Sequence, residues 1–245
     1  MHGTVPRDYN QEAKSRPDKQ YQYNFDHIVR DYMMRSFAPF FRPGSALEPG
    51  CYEGDTAVQL AKYFDDLTVV EASSDALAVA KARLPATVMM MNGVFEEVTL
   101  TRRFDNIFLI NVLEHVEEAK PVLERARNCL APNGRLFVLV PNADAPSRQI
   151  AVQMGLITHN NAVTPGEWEH GHRRTYSFDT LERDIREAGL RVVQRGGLLF
   201  KALANYQMDR ALEAGIIDMR YIEGIYQLGM VHPAFCSSIY FICEG

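Results

Sequence analysis

Between about residue 24 and residue 197 the chain alternates short apolar runs with stretches of helical periodicity, and few folds accept that order. FDHIVRDYMMRSFAPFF places Phe25, Ile28, Tyr32, Met33 and Phe37 at helical spacing. A short strand ending at Glu48 follows, then DTAVQLAKYF as a helix, LTVVEAS as a buried strand, and SDALAVAKARL as a helix capped by Ser73 or Ser74. ATVMMMN and RFDNIFLI read as strands, the second with the continuous apolar character of a strand covered on both faces. PVLERARNCLAPNG is expected to be a helix, with Pro121 in its first turn and Asn133-Gly134 beyond its end. RLFVLVPN, LRVVQRGG and SSIYFIC supply three more strands, and YSFDTLERDIREAG a helix between Ser177 and Gly189. The rhythm predicts an α/β fold, a seven-stranded and mostly parallel sheet with helices on both faces.

Two regions break the alternation. Residues 143–170 and 198–236 are too long for plain connections. In the second, ALANYQMDRALEAG and MRYIEGIYQLG read as helices. Both insertions leave from the C-terminal ends of strands, the side on which open α/β sheets bind ligands, so a lid or substrate wall is expected from them. Residues 1–23 are polar and read either as a frayed tail or as an N-terminal lid segment that orders over a site. Residues 24–245 then form one domain carrying the two insertions.

Charge and cysteine usage exclude some partners. The net charge is −5 and no Lys/Arg block stands out, so no nucleic-acid partner is expected. No apolar run approaches the ~18 residues of a membrane helix, and the N-terminus lacks a signal-peptide core, so no membrane partner is expected. Cys51, Cys129, Cys236 and Cys243 show no CxxC spacing and read as reduced, buried thiols of a cytoplasmic protein. A homodimer stays open.

The stretch LEPGCYEGD, residues 47–55, joins a strand to a helix through Gly50 and Gly54. Such a turn brings backbone N–H groups close to a ligand. Glu71 follows about 20 residues on, at the end of the next strand, where a carboxylate can accept both ribose hydroxyls. The pair points to a nucleoside ligand. NAD(P) sites use G-x-G-x-x-G, but here Asp55 stands where the last glycine belongs.

The loop instead resembles E/D-x-G-x-G-x-G, the first motif of class I S-adenosylmethionine-dependent methyltransferases, with Tyr52 in place of the middle glycine. FDNIFLINVLEHVEE, residues 104–118, is similar to the fourth-strand motif of that family. Its Leu113-Glu114-His115-Val116 is close to the subgroup of ubiquinone-biosynthesis O-methyltransferases. MNGVFEEV resembles the family's third-strand loop, and GHRRTYSFDTLERDIREAGL the segment after its fifth strand. The resemblance spans about residues 45–195. It implies a Rossmann-like sheet, S-adenosyl-L-methionine as cofactor, and a small-molecule methyl acceptor.

The resemblance also assigns residues. Glu48, Gly50 and Gly54 would hold the methionine end, Glu71 the ribose, and Ala72 and Phe95 the adenine, with Glu96 beside it. Asn111 would turn a backbone carbonyl toward the methionine part, and Tyr21 would close the pocket. Among the histidines, His172 matches the family position for a base or substrate-positioning group, His170 is a weaker second candidate on the same face, and His115 after the fourth strand is open to a catalytic role or to capping the next helix. Trp168, Arg174 and Tyr176 would touch the acceptor. The spacing of Glu167, Glu169, His170 and His172 is unconvincing for ligands, and no metal is expected.

Transfer to oxygen is favoured over nitrogen. The N/D-P-P-[FYW] tetrad of nucleic-acid base methyltransferases is replaced here by INVLEH. The competing readings are a small-molecule N-methyltransferase, an NAD(P)-dependent oxidoreductase, and a non-catalytic protein that binds S-adenosylmethionine.

Overall fold

The computed structural model describes residues 7–13 and 23–245. Most of the expected lid segment, with Tyr21 and His2, lies outside these residues.

A short helix α1 (Tyr9–Ala13) comes first. Helix α2 (Asn24–Phe37) buries Phe25, Tyr32, Met33, Met34 and Phe37. The alternating core follows as β1 (Ala46–Pro49), α3 (Asp55–Leu60), β2 (Leu67–Glu71), α4 (Ser74–Arg83), β3 (Met89–Asn92), β4 (Phe104–Ile110), α5 (Ala119–Cys129) and β5 (Leu130–Pro141). The first insertion contains α6 (Pro146–Gln153) and α7 (Pro165–Glu169). Then come α8 (Phe178–Glu187) and β6 (Arg191–Leu198). The second insertion contains α9 (Asn205–Glu213) and α10 (Met219–Val231), and β7 (Ser238–Glu244) ends the fold.

One seven-stranded sheet has the order β3-β2-β1-β4-β5-β7-β6. Every pair among β1 to β5 is parallel, and β7 runs antiparallel between β5 and β6. Successive strand residues enter opposite cores, as the two-residue period of a strand requires. Phe108, Ile110, Phe137 and Leu139 pack with Phe37 and Tyr226 on the face that carries α2, α9 and α10. Ile107, Leu109, Val138 and Val140 pack with Leu123, Leu181 and Ile185 on the face that carries α5 and α8. Strand order reverses between β1 and β4, and this places the crevice outside Pro49 and Ile110.

Caps set several helix starts. The Ser73 hydroxyl accepts from the Ala76 N–H at 3.1 Å, and Ser177 heads α8. Two boundaries differ from the sequence expectation. Helix α5 stops at Cys129, because Leu130 already pairs with Phe104. The ladder resumes at Asn106 opposite Arg135, so the Pro132-Asn133-Gly134 stretch expected beyond a helix end is an irregularity within β5. Helix α3 ends at Leu60 and continues only as a turn.

Candidate active site

The loop after β1 is bent by three left-handed residues at alternate positions. Gly50, Tyr52 and Gly54 have φ of 72°, 48° and 84°. A β-carbon at Gly50 would meet Val112 Cγ2 at 2.9 Å, and one at Gly54 would meet Ala80 Cβ at 3.1 Å. Both positions therefore need glycine for space as well as for φ. Tyr52 takes the same backbone region against its preference, and it is held there. Its N–H donates to Glu71 Oε2 at 2.8 Å, while the Ser73 N–H donates to Glu71 Oε1 at 2.8 Å. Burial pushes the Glu71 carboxyl up, and these two donors pull it back.

Glu48 is 2% exposed and its Oε2 has no hydrogen-bond partner. Burial pushes its carboxyl up to about 8 against the attraction of Arg30. Ala72 is half-buried beside Glu71, and Asn92 Nδ2 donates to both of their carbonyls. Phe95 is buried in the α5 and α8 core, whereas Glu96 is exposed. Asn111 sits exposed at the mouth of β4 with φ of 53°, its N–H bonded to the Leu139 carbonyl at 2.8 Å.

A second group lies just beyond Asn111. The His115 and His172 rings meet edge to face with centroids 4.6 Å apart. Glu114 beside them is buried, its Oε2 lacks a hydrogen-bond partner, and burial pushes its carboxyl up to about 8. Burial pushes His115 down to about 3 and also lowers His172. Both imidazoles are thus neutral near pH 7, and His172 is the better placed of the two to accept a proton. One ligand atom from each of Glu114, His115 and His172 lies within 4.8 Å of the others, so this trio could also hold a cation. Of the four residues weighed as metal ligands in the sequence, His172 is in that trio, while Glu167, Glu169 and His170 are not.

The segment before α2 reaches both groups. Asn10 Oδ1 accepts from the Ser73 hydroxyl at 2.9 Å, at the start of α4. Arg7 Nη1 donates to the His115 carbonyl at 2.9 Å, and its guanidinium pairs with Glu12 at 2.7 Å. Glu12 lies 3.6 Å from Arg173, whose guanidinium stands 5.0 Å over the Trp168 ring. Residues 7–13 therefore bridge the start of α4 and the His115 backbone. Sequence reasoning missed Arg7, Asn10 and Glu12, because no motif or period marks them.

The remaining expected residues are spread out. Trp168 is 59% exposed. Arg174 donates to the Glu117 carbonyl at the rim. Tyr176 is 2% exposed and packs in the core, with its backbone bridging Asn142. The fold thus gathers Glu48, Gly50, Gly54, Glu71, Ala72 and Asn111 at one end of the crevice and His115 with His172 at the other. It leaves Tyr176 inside.

Residues 21–195 match a family described as Methyltransferase domain. The chain belongs to the class I S-adenosylmethionine-dependent methyltransferases. This methyltransferase is 25% identical over 196 residues to a ubiquinone biosynthesis O-methyltransferase of Azorhizobium caulinodans, covering 72% of each chain. It is 32% identical over 177 residues to the mitochondrial ubiquinone biosynthesis O-methyltransferase of Schizosaccharomyces pombe, covering 69% of this chain and 64% of that one. Its fold is similar to that of a Thermotoga maritima methyltransferase described as a possible histamine N-methyltransferase, with a TM-score of 0.62 and 16% identity over 91% of this chain and 93% of that one. The N-methyltransferase NodS of Bradyrhizobium japonicum, solved with S-adenosylhomocysteine, gives 0.58 and 15% over 96% and 94%. The methyltransferase has the Rossmann-like fold of its class, and S-adenosylmethionine is its cofactor. Among the described residues no helix is long and apolar enough to cross a membrane.

Proposed function

We propose that this methyltransferase acts on an oxygen of a small molecule, with His172 taking the acceptor's proton and His115 holding its ring in place. The observation that carries this reading is the pair of neutral imidazoles, His115 and His172, whose rings meet edge to face. A hydroxyl acceptor must lose a proton as it is methylated, and a neutral histidine is suited to remove it. The similarity to O-methyltransferases of ubiquinone biosynthesis supports the same choice.

S-adenosylmethionine supplies the electrophilic methyl group when bound. On this reading Gly50 and Gly54 allow close approach, Glu71 accepts from the ribose, and Ala72, Phe95 and Glu96 border the adenine. Asn111 and Glu48 face the methionine end. The orphaned Glu48 oxygen fits that role, because a buried carboxylate without a partner calls for a cation. Arg7, Asn10 and Glu12 complete an N-terminal lid. Trp168 and Arg174 line the acceptor's approach, and Tyr176 supports that wall from the core. The four buried free cysteines suit a cytoplasmic enzyme.

Glu48 gives a measurable consequence. Near pH 7 its carboxyl is largely protonated, and an arriving ammonium favours the charged form. Binding of S-adenosylhomocysteine should release a fraction of a proton approaching one, seen as a buffer-dependent enthalpy in calorimetry. Glu48→Gln should abolish that release and weaken binding about tenfold. The folded-state value lies above the ordinary 4.5, so this group's contribution to stability is full below about 4.5 and is lost as pH rises through about 8. The Gln variant should therefore lose less stability than the wild type between those pH values. Equal proton release in both proteins would remove Glu48 from the site.

The acceptor class is tested by incubating the enzyme with methyl-labelled S-adenosylmethionine and a panel of phenols, catechols, carboxylic acids and amines. Label in an ether product supports the proposal. Label confined to amines overturns it in favour of N-methylation.

A further inference from the structure

Lys201 is a buried cation whose charge the described residues leave without an ion pair. The chain leaves β6 through Leu199, a buried residue with φ of 60°, and two residues later the Lys201 side chain lies under the start of α2. Lys201 is 6% exposed, and its Nζ stands 5.8 Å from the centroid of the Phe25 ring. An ammonium carries three donors. One goes to the Leu203 carbonyl at 2.8 Å, and among the described residues Nζ has no other hydrogen-bond or ion-pair partner. Asp26 attracts it from α2, but both oxygens of that carboxylate are engaged. Oδ2 accepts from the Tyr23 N–H at 2.7 Å, and Oδ1 accepts from Asn205 Nδ2 at 2.5 Å. Burial pulls Lys201 down to about 8, so it stays mostly charged near pH 7. Other enclosed cations have a carboxylate: Arg30 pairs with Asp55, Arg148 with Glu167, and Arg173 with Glu117. Buried charges are normally paired in this way, because an unpaired one is costly to enclose.

The place of this ammonium in the fold narrows what it can meet. Strands β5 and β6 both run antiparallel to β7, so β6 ends at the same edge of the sheet as β1 and β4. That edge is where the crevice lies. Lys201 follows the end of β6 by three residues and opens the second insertion, from which a substrate wall is expected. Asp26 and Arg30 lie four residues apart on one face of α2. Arg30 Nη2 in turn lies 3.6 Å from Asp55 Oδ2, at the helix start that follows the loop of Gly50 and Gly54. The ammonium is thus about one helical turn from the side chain that meets this loop. Around it, the Tyr23 and Tyr206 rings have centroids 6.1 Å apart, and Leu203 and Tyr206 are 42% and 41% exposed. A buried cation therefore sits behind apolar walls that are open to solvent.

We infer that Lys201 is a specificity-determining residue that receives an acidic group of the methyl acceptor, a carboxylate or a phosphate. The inference rests on the small-molecule acceptor proposed above and adds its charge. The acidic group supplies the missing counter-charge and takes up the two remaining donors of the ammonium. An uncharged acceptor would leave both unused.

The test is calorimetry on the full chain saturated with S-adenosylhomocysteine. The probes are para-hydroxybenzoate, para-hydroxyphenyl phosphate and the uncharged para-hydroxybenzamide. At least one anion should bind about tenfold more tightly than the amide, and the better of the two separates carboxylate from phosphate. Lys201→Met, close to lysine in length, should weaken the preferred anion at least about 30-fold and leave the amide within about twofold. Its melting temperature should equal or exceed that of the wild type, because an unpaired buried charge has been removed. Lys201→Gln can still donate to the Leu203 carbonyl and should lose the anion equally, which separates the charge from that hydrogen bond. Affinity for S-adenosylhomocysteine should stay within about twofold in both variants. Four results would overturn the inference. They are a wild type that prefers neither anion to the amide, a preference that survives in folded Lys201→Met, and a Lys201→Met protein that melts well below the wild type, which would make the ammonium structural. The fourth is a loss of S-adenosylhomocysteine affinity in the variants, which would give the charge to the cofactor. Because the readout is binding, an anion held through Lys201 but never methylated on oxygen would count against the oxygen acceptor and leave the role of Lys201 standing.

Discussion

Glu71→Ala should raise the dissociation constant of S-adenosylhomocysteine at least about 100-fold, a loss of about 2.7 kcal/mol. Two effects add. One is the loss of the acceptor that the proposed site offers to the ribose hydroxyls. The other is inside the protein. The Glu71 carboxylate holds the N–H groups of Tyr52 and Ser73, and so it ties the loop after β1 to the start of α4. Tyr52 stays at a φ of 48° partly through that bond, and without it the strain can relax. The loop should then drift from the shape that Gly50 and Gly54 give it. Glu71→Gln separates the two effects, because its amide keeps one carbonyl acceptor for Tyr52 or Ser73. An intermediate loss of about tenfold is expected for it. Calorimetry with S-adenosylhomocysteine measures both variants, and a thermal melt confirms that they are folded. An affinity within about fivefold of wild type for Glu71→Ala would remove the residue from the cofactor site.

The parts of this site that can be read in the sequence are those in which a local pattern and a local cause coincide. Gly50 and Gly54 are readable because a left-handed turn between strand and helix needs them, and Glu71 because a strand of known length ends there. The number and position of the strands follow from the change of period along the chain, which is why every expected strand is present, whereas their order in the sheet does not. The end of α5 is not readable in the same way. Its helical propensity runs past Cys129, but Leu130 is taken by a pairing with Phe104 that lies 26 positions away in the chain. The strap of Arg7, Asn10 and Glu12 is less visible still. These are ordinary polar residues, and their partners are 108 residues away at His115 and 63 away at Ser73. Tyr176 shows another side of the same limit. Its polar tip invites a binding role, yet the bridge between its backbone and Asn142 turns the ring into the core. Glu114 did leave a signal. A carboxyl between Leu113 and Val116 in a run that must be buried needs a reason to be there, and its unpartnered oxygen marks it as more than packing.

His172→Ala should lower kcat about 100-fold or more on an acceptor with a hydroxyl nucleophile, with little change in the affinity for S-adenosylhomocysteine. The direction of the pKa shift makes the prediction specific. Burial lowers His172 below the ordinary 6.5 against the pull of Glu167, with His170 and Arg148 adding to the shift, so the ring stays neutral somewhat below that pH. The acid limb of the wild-type rate profile should therefore fall below pH 6.5, and the His172→Ala profile should lose that limb. His115→Ala tests the supporting role. The more enclosed ring, pushed down to about 3, cannot be the group that titrates in the working range, but its edge-to-face contact fixes the His172 plane. A loss of about tenfold with the acid limb retained is expected for that variant. The alternative is an acceptor that needs no base. A carboxylate is already charged, so His172→Ala would cost it less than about threefold and the pH limb would be unchanged. That result would move the proton chemistry away from the histidine pair and leave His172 as a wall of the site.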